Sequence, residues 1–234
     1  MTSHATTPSE NGEILCWSCQ GRARAGEHFC PQCVQIQPLR GSVDYFQFLG
    51  FERRLNLDGA DLERRYHELS RQFHPDYYVG RSPIEREASL ERSAALNRAY
   101  QTLKDPWKRA EYLILTEQVP KPSRKQSPSG APPALIEEVF ELNEALDEWR
   151  QSKTPEAENS PARRRIETLR SRLQSRREEL LAQLGEQFDA WDAAAQAQAV
   201  ELEARKAILL RLQQILDEQS YLRTLFDNIA KTLD

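Results

Sequence analysis

The stretch RQFHPDYYVG, Arg71 to Gly80, sets a histidine, a proline and an aspartate in a row at the end of a helical pattern. Proline disfavours α conformation in the residue before it, so the preceding helix has to end at His74. Upstream, LDGADLERRYHELSRQF spaces Leu62, Tyr66, Leu69 and Phe73 at steps of four, three and four, one face of an α-helix. Asp58 stands where its N-cap belongs. Downstream, SPIE at Ser82 to Glu85 puts serine at the N-cap, proline at the first helical position and glutamate two residues later, a capping box. A second long helix starts there and runs through Leu90, Leu96, Tyr100 and Leu103. HPDYYVGR is then a loop between two antiparallel helices, and DPW at Asp105 to Trp107 repeats the cap-plus-proline start for a shorter third helix.

Composition agrees with a helical chain. Of 234 residues 39% are hydrophobic, 29% are charged and only nine are glycine, where a β protein of this size would spend more glycine on turns. Almost no sheet is expected. The net charge of −4 gives no global reason to expect a nucleic-acid partner. No apolar run approaches the roughly 18 residues of a membrane span, and the start has neither a secretory nor a transit-peptide pattern. A cytoplasmic protein without a membrane partner is the expectation.

Proline divides the chain. Residues 1–15 are polar and expected to be disordered. Residues 16–40 hold all four cysteines, residues 41–118 the helical block, and 119–133 a Pro/Ser-rich interdomain linker. Residues 134–234 return to helical spacing, interrupted by SKTPEAENSP and expected to turn near Gly185.

His74 and Asp76 have three possible employments. As a catalytic pair they lack a visible nucleophile and orienting group; as a plain helix stop they need no function. Docking is favoured by the flanking helix: at about 100° per residue, Arg64, His67 and Arg71 form a basic stripe opposite the apolar face, leading into the rigid loop.

CWSC at 16–19 and CPQC at 30–33 form two close cysteine pairs, a spacing that brings four thiolates to tetrahedral reach of one metal ion. With only Trp17, Phe29, Val34 and Ile36 as core, this module needs metal to fold. Structural zinc on Cys16, Cys19, Cys30 and Cys33 is the preferred reading. A redox pair and transient iron or cluster binding are the rivals.

In the C-terminal block Leu135, Val139, Leu142, Leu146 and Trp149 mark a core face. Opposite lie Glu137, Glu141, Glu144 and Glu148, with Ile136 and Phe140 on the shoulder. That stripe is either a solvated face or a steering surface for a basic partner. The next helix carries seven arginines between Arg163 and Arg177, expected to pair with the acidic helix and with Glu167, Glu178 and Glu179 rather than with RNA, since no aromatic stacking positions lie among them. A third helix is expected from about Asp189 to the end, bent or broken near Asp217, with Leu202, Leu209, Leu212, Ile215, Leu222, Leu225 and Ile229 inward. Three such helices make a bundle.

DYFQFLG, RRYHELSRQFHPD and LNRAYQTLKDPWKRAEYLILTEQ, within residues 44–118, resemble a J-domain, whose HPD loop stimulates ATP hydrolysis by DnaK-type chaperones. The added DPWKRAEYLI, together with ELNEALDEW and AWDAAA, is similar to the HscB (Hsc-twenty) branch that serves iron–sulfur cluster assembly, and CWxC…FxCPxC resembles the module of its animal-type members. The resemblance implies an all-α fold: a J-domain hairpin and a C-terminal three-helix bundle, preceded by a small zinc-bound module. It implies chaperone docking by His74, Pro75 and Asp76 with Arg64 and Arg71 in support, and binding of an IscU-type scaffold by Ile136, Phe140, Glu141, Glu144 and Glu148. Two positions depart from the pattern: Tyr77, where many J-domains have lysine, and Glu137, where a hydrophobic residue can occur. The expected function is that of a non-enzymatic co-chaperone, a monomer or weak homo-oligomer, which delivers the scaffold to an HscA- or DnaK-type ATPase. The alternative is a general J-domain co-chaperone for unfolded clients.

Overall fold

The computed structural model describes residues 13–24, 26–117, 132–151, 160–196 and 202–233. Of residues 1–15, expected to be disordered, 1–12 lie outside them, as do residues 119–131 of the linker and the interruption at 152–159. Two compact units result, one ending at Arg109 and one beginning at Ala110.

In the first unit, strands β1 (Glu13–Leu15) and β2 (Arg22–Arg24) pair antiparallel with Ile14 opposite Ala23. A bridge joins Phe29 to Ile36. Sheet among the described residues is confined to these two strands and this bridge, and β1 corrects the expectation of disorder up to residue 15: Glu13–Leu15 pair with Arg22–Arg24. Helix α1 (Tyr45–Phe48) is capped by Asp44 and closes on Gly50, whose φ of +73° is the left-handed conformation that such a helix end favours.

Helix α2 (Gly59–Phe73) starts where Asp58 Oδ1 accepts from the Ala60 and Asp61 amides at 2.8 and 3.4 Å. Helix α3 (Pro83–Lys104) opens on the capping box: Ser82 Oγ accepts from the Glu85 amide at 3.3 Å, and Glu85 Oε2 from the Ser82 amide at 3.0 Å. Asp105 caps α4 (Pro106–Thr116) through the Trp107 and Lys108 amides. Helices α2 and α3 pack as a hairpin. Leu62, Phe73, Leu96 and Leu103 are buried between the elements of this unit, and Tyr66 stacks on Tyr100 at 4.2 Å.

Leu90, through which the second long helix runs, is 60% exposed. Steps of three and four back from Leu96 lead to Arg92 and Ser89, which are buried, and Leu90 falls off that face.

The second unit is a three-helix bundle of α5 (Ile136–Gln151), α6 (Pro161–Gln196) and α7 (Leu202–Leu233). Its expected core residues are buried, apart from Trp149, which is half-buried and donates its indole N–H to the Thr232 carbonyl at 3.2 Å, and Leu202, which is 67% exposed at the first residue of α7. Three expectations fail here. Gly185 makes no turn: Leu180, Leu184, Phe188 and Trp191 continue one buried face through it, and that packing outweighs the roughly 1 kcal/mol a mid-helix glycine costs. Asp189 accordingly lies within α6 and starts no new helix. Nor does α7 break near Asp217, because Leu212, Ile215, Leu216 and Leu222 keep its buried face continuous.

Candidate functional sites

The HPD segment is a fixed turn. His74 ends α2 in extended conformation, as the following proline requires, and Pro75–Tyr78 form a 3₁₀ turn in which the Tyr77 amide donates to the His74 carbonyl at 3.0 Å. Helix ends leave carbonyls without partners. Here the Phe73 carbonyl accepts from Ser89 Oγ at 2.7 Å and Ser93 Oγ at 3.0 Å, both from α3, and the Gln72 carbonyl accepts from the Tyr78 hydroxyl at 3.0 Å.

His74 Nδ1 accepts from the Asp76 amide at 3.3 Å, which leaves N–H on Nε2, free to donate to a partner. The Asp76 carboxylate, 83% exposed, stays 3.6 Å from that ring and beyond hydrogen-bond range. Imidazole and carboxylate are thus both offered outward. Of the basic stripe, Arg64 is held by Asp61 and by Glu68 at 2.9 Å, and His67 lies near Glu63. Those hydrogen bonds, with Asp61 first, raise the Arg64 pKa. Arg71 is exposed and makes no ion pair among the described residues.

The four cysteines converge. Cys16 and Cys33 Sγ lie 3.6 Å apart, Cys19 and Cys30 Sγ 3.7 Å, and all four within 4.8 Å of one another, without a disulfide. Tetrahedral Zn–S bonds of about 2.3 Å would set S···S at about 3.8 Å. The donor set therefore can hold one metal ion and fits zinc.

Each pair builds the same knuckle. The Gln20 and Val34 amides donate to the Cys16 and Cys30 carbonyls, while the Ser18 and Gln32 amides approach the Cys16 and Cys30 sulfurs at 3.4 Å. Gln20 and Val34 share a φ near +60°. This overturns the placing of Val34 in the module core: the knuckle forces its backbone left-handed, and its side chain is 72% exposed. Burial opposes ionisation of Cys16, but amide donors from Cys19 and Ser18 outweigh it and bring that thiol down to about 6.

The module is docked on the helical hairpin by residues the sequence did not announce. Arg92 of α3, 2% exposed, donates to the Gln37 carbonyl, to His28 Nδ1 and to the Glu27 carbonyl. Burial lowers its pKa to about 10. Burial, then the Arg92 charge, push His28 down to about 4, so this imidazole is neutral. The only sequence signal was the phase of Arg92, on the same helical face as Ser89 and Leu96.

On α5 the residues expected to meet a scaffold share an exposed face, and three of its carboxylates have partners within the bundle. Phe140 is 72% exposed and Ile136 45%. Arg165 of α6 grips Glu144 at 2.9 Å and Glu148 at 3.1 Å, and Arg172 reaches Glu141 at 3.4 Å. The hydrogen bond Arg165 donates to Glu144, then the charge of Glu148, raise the Arg165 pKa. The arginine helix is thus paired inward, Arg176 taking Glu218 of α7 at 2.6 Å.

Comparison with known proteins follows the same division. The DnaJ domain family matches residues 44–112, so the class is that of J-domain proteins, and the HSCB C-terminal oligomerisation domain matches residues 131–213. The human "Iron-sulfur cluster co-chaperone protein HscB" is 32% identical over 172 residues, 72% of this chain and 69% of that protein. The Arabidopsis thaliana HscB homolog is 35% identical over 140 residues, 60% of this chain and 53% of its own length. The fold matches the crystal structure of the human co-chaperone protein HscB with a TM-score of 0.66 at 24% identity, over 93% of this chain and 97% of that one. Chaperone HscB from Vibrio cholerae superposes at 0.50, also at 24% identity, over 80% and 99%. The chain belongs to the HscB family of iron–sulfur cluster co-chaperones. No helix of its described residues is long and apolar enough to cross a membrane.

Proposed function

We propose that this protein holds an IscU-type iron–sulfur scaffold on its C-terminal bundle, residues 134–234, and stimulates an HscA- or DnaK-type ATPase through the J-domain, residues 41–118. The observation that carries the reading is the HPD turn: His74 and Asp76 exposed on a backbone that Pro75, Ser89, Ser93 and Tyr78 fix. A rigid turn with an outward donor and an outward carboxylate suits docking, where preorganisation lowers the ordering cost of binding. His74, Pro75 and Asp76 form its contact, with Arg71 as the charge available for steering and Arg64 in a supporting place.

On the bundle, Phe140 and Ile136 supply the apolar anchor and Glu141, Glu144 and Glu148 the polar rim. Because Arg165 and Arg172 already hold those carboxylates, a basic partner gains them only by sharing or displacing the arginines. Cys16, Cys19, Cys30 and Cys33 hold structural zinc, since a closed tetrahedral thiolate set is what that ion takes. The hydrolytic chemistry is the ATPase's own, in the cytoplasm, and tethering the scaffold raises its effective concentration at the chaperone.

The test is steady-state ATP hydrolysis by an HscA-type chaperone with scaffold alone, with this protein alone and with both. Stimulation greater with both than the sum of the separate effects is expected; simple additivity overturns the coupling of the two sites.

A further inference from the structure

Phe73, the residue before His74, is fully buried, and part of its surroundings is not the helical hairpin. The His28 ring stands edge-on to it, centroids 4.9 Å apart, and edge-on to Phe48 at 4.7 Å; the Phe29 ring lies 5.9 Å from Phe73. His28 and Phe29 belong to the cysteine module.

His28 is fixed from both sides. Its Nε2–H donates to the Phe48 carbonyl at 2.9 Å, so Nδ1 is an acceptor, and Arg92 Nη1 donates to it at 2.6 Å. The same guanidinium donates through Nε to the Gln37 carbonyl at 2.5 Å and through Nη2 to the Glu27 carbonyl at 3.1 Å. Gln37, 1% exposed, turns its side-chain amide to Cys16 Sγ at 3.3 Å. A continuous strip of contacts therefore runs from a metal-site sulfur through Gln37, Arg92 and His28 to the residue that anchors the HPD turn.

The strip holds together only while the module is folded. Among its described residues the module buries, besides two cysteines, only Ala23 and Ile36 as apolar residues, too little core to fold by burial, so its folding follows metal binding. When it unfolds, Arg92 is deprived of three acceptors in one step and Phe73 of two aromatic neighbours. A metal-dependent two-state element next to the turn is what coupling between the two sites requires.

We infer that the metal-loaded cysteine module braces the HPD turn, with His28 and Arg92 as positioning residues, so that metal occupancy sets how well the turn is held for its ATPase partner. This rests on the proposed docking role of HPD.

The test uses the full chain, metal-loaded or chelated, with Arg92→Met, Arg92→Lys and His28→Ala variants. Amide hydrogen exchange at Asp76, Tyr77 and Tyr78 needs no ATPase partner. Chelation is expected to speed it about tenfold or more while leaving α5–α7 unchanged. Arg92→Met should still bind one metal ion per chain yet show the same acceleration, with Arg92→Lys restoring part of the protection, since a single ammonium nitrogen does not span all three acceptors. In the ATPase assay the half-saturating concentration of Arg92→Met should rise about fivefold or more at unchanged maximum stimulation. Should Arg92→Met lose protection throughout α3, the milder His28→Ala decides in its place.

Unchanged exchange at the turn in both chelated protein and Arg92→Met overturns the brace. Faster exchange with an unchanged half-saturating concentration overturns its control of docking. Failure of the metal-loaded native protein to stimulate any ATPase sinks the docking reading and control by the metal with it, while the exchange measurement still decides the brace.

Discussion

Arg165 holds Glu144 at 2.9 Å, and the same guanidinium takes Glu148 at 3.1 Å. Two carboxylates of the proposed scaffold face are thereby compensated from within the bundle. Arg165→Gln should release both and tighten scaffold binding about threefold at low ionic strength, an advantage that added salt removes. Calorimetry at two salt concentrations checks this; equal affinity of variant and native protein at both would mean that neither carboxylate meets the scaffold.

Phe140 and Leu142 lie two residues apart on α5 with opposite burial, 72% and 1% exposed. Phe140→Ala should weaken scaffold binding about tenfold or more while leaving the melting temperature where it was. Leu142→Ala should instead destabilise the bundle by about 2–5 kcal/mol. Thermal unfolding by circular dichroism, read beside the binding isotherm, separates the two.

Metal removal should act locally. Chelation is expected to render all four thiols reactive to a thiol reagent and to change Trp17 fluorescence, because the Trp17 indole N–H donates to the Ile36 carbonyl at 2.7 Å inside the module. The far-UV signal of the helices should hardly move. Cobalt substitution should give a single tetrahedral thiolate spectrum per chain, and Cys16→Ser should lose metal; a Cys16→Ser protein that keeps full metal content would remove that cysteine from the ligand set.

Gly185→Ala should stabilise the bundle by about 1 kcal/mol, since the position is mid-helix and a Cβ there meets nothing within 4 Å. Chemical denaturation measures it. A loss of stability would mean that the chain turns at Gly185 after all.

What could be read ahead of the structure was local. Asp58, Ser82 with Glu85, and Asp105 cap helices through amides two or three residues away, so the sequence around each contained the whole interaction. The cysteine spacing was legible for the same reason: each pair closes its own knuckle. At Gly185 the local cost of a mid-helix glycine is the only signal nearby in sequence, and the buried face from Leu180 to Trp191 overrides it. Val34 misled because the knuckle, not hydrophobicity, sets its backbone.

The docking of the module on α3 was out of reach. An arginine between Glu91 and Ser93 looks like surface, and its burial depends on acceptors at Glu27, His28 and Gln37, far off in the chain. On α5 the expected pairing of arginines with the acidic stripe was right, yet its consequence for the scaffold face follows only from seeing both Glu144 and Glu148 on one guanidinium.

In the proposed function His74 works on another protein's active site. Steady-state ATP hydrolysis by an HscA- or DnaK-type chaperone, with scaffold present, compares native protein with His74→Gln. The variant should keep the fold, the metal and scaffold affinity of native protein and forfeit about tenfold or more of the stimulation, because the imidazole is exposed in the free protein and engages a partner only in the complex. Stimulation by His74→Gln equal to that of the native protein would contradict the assignment of the HPD turn.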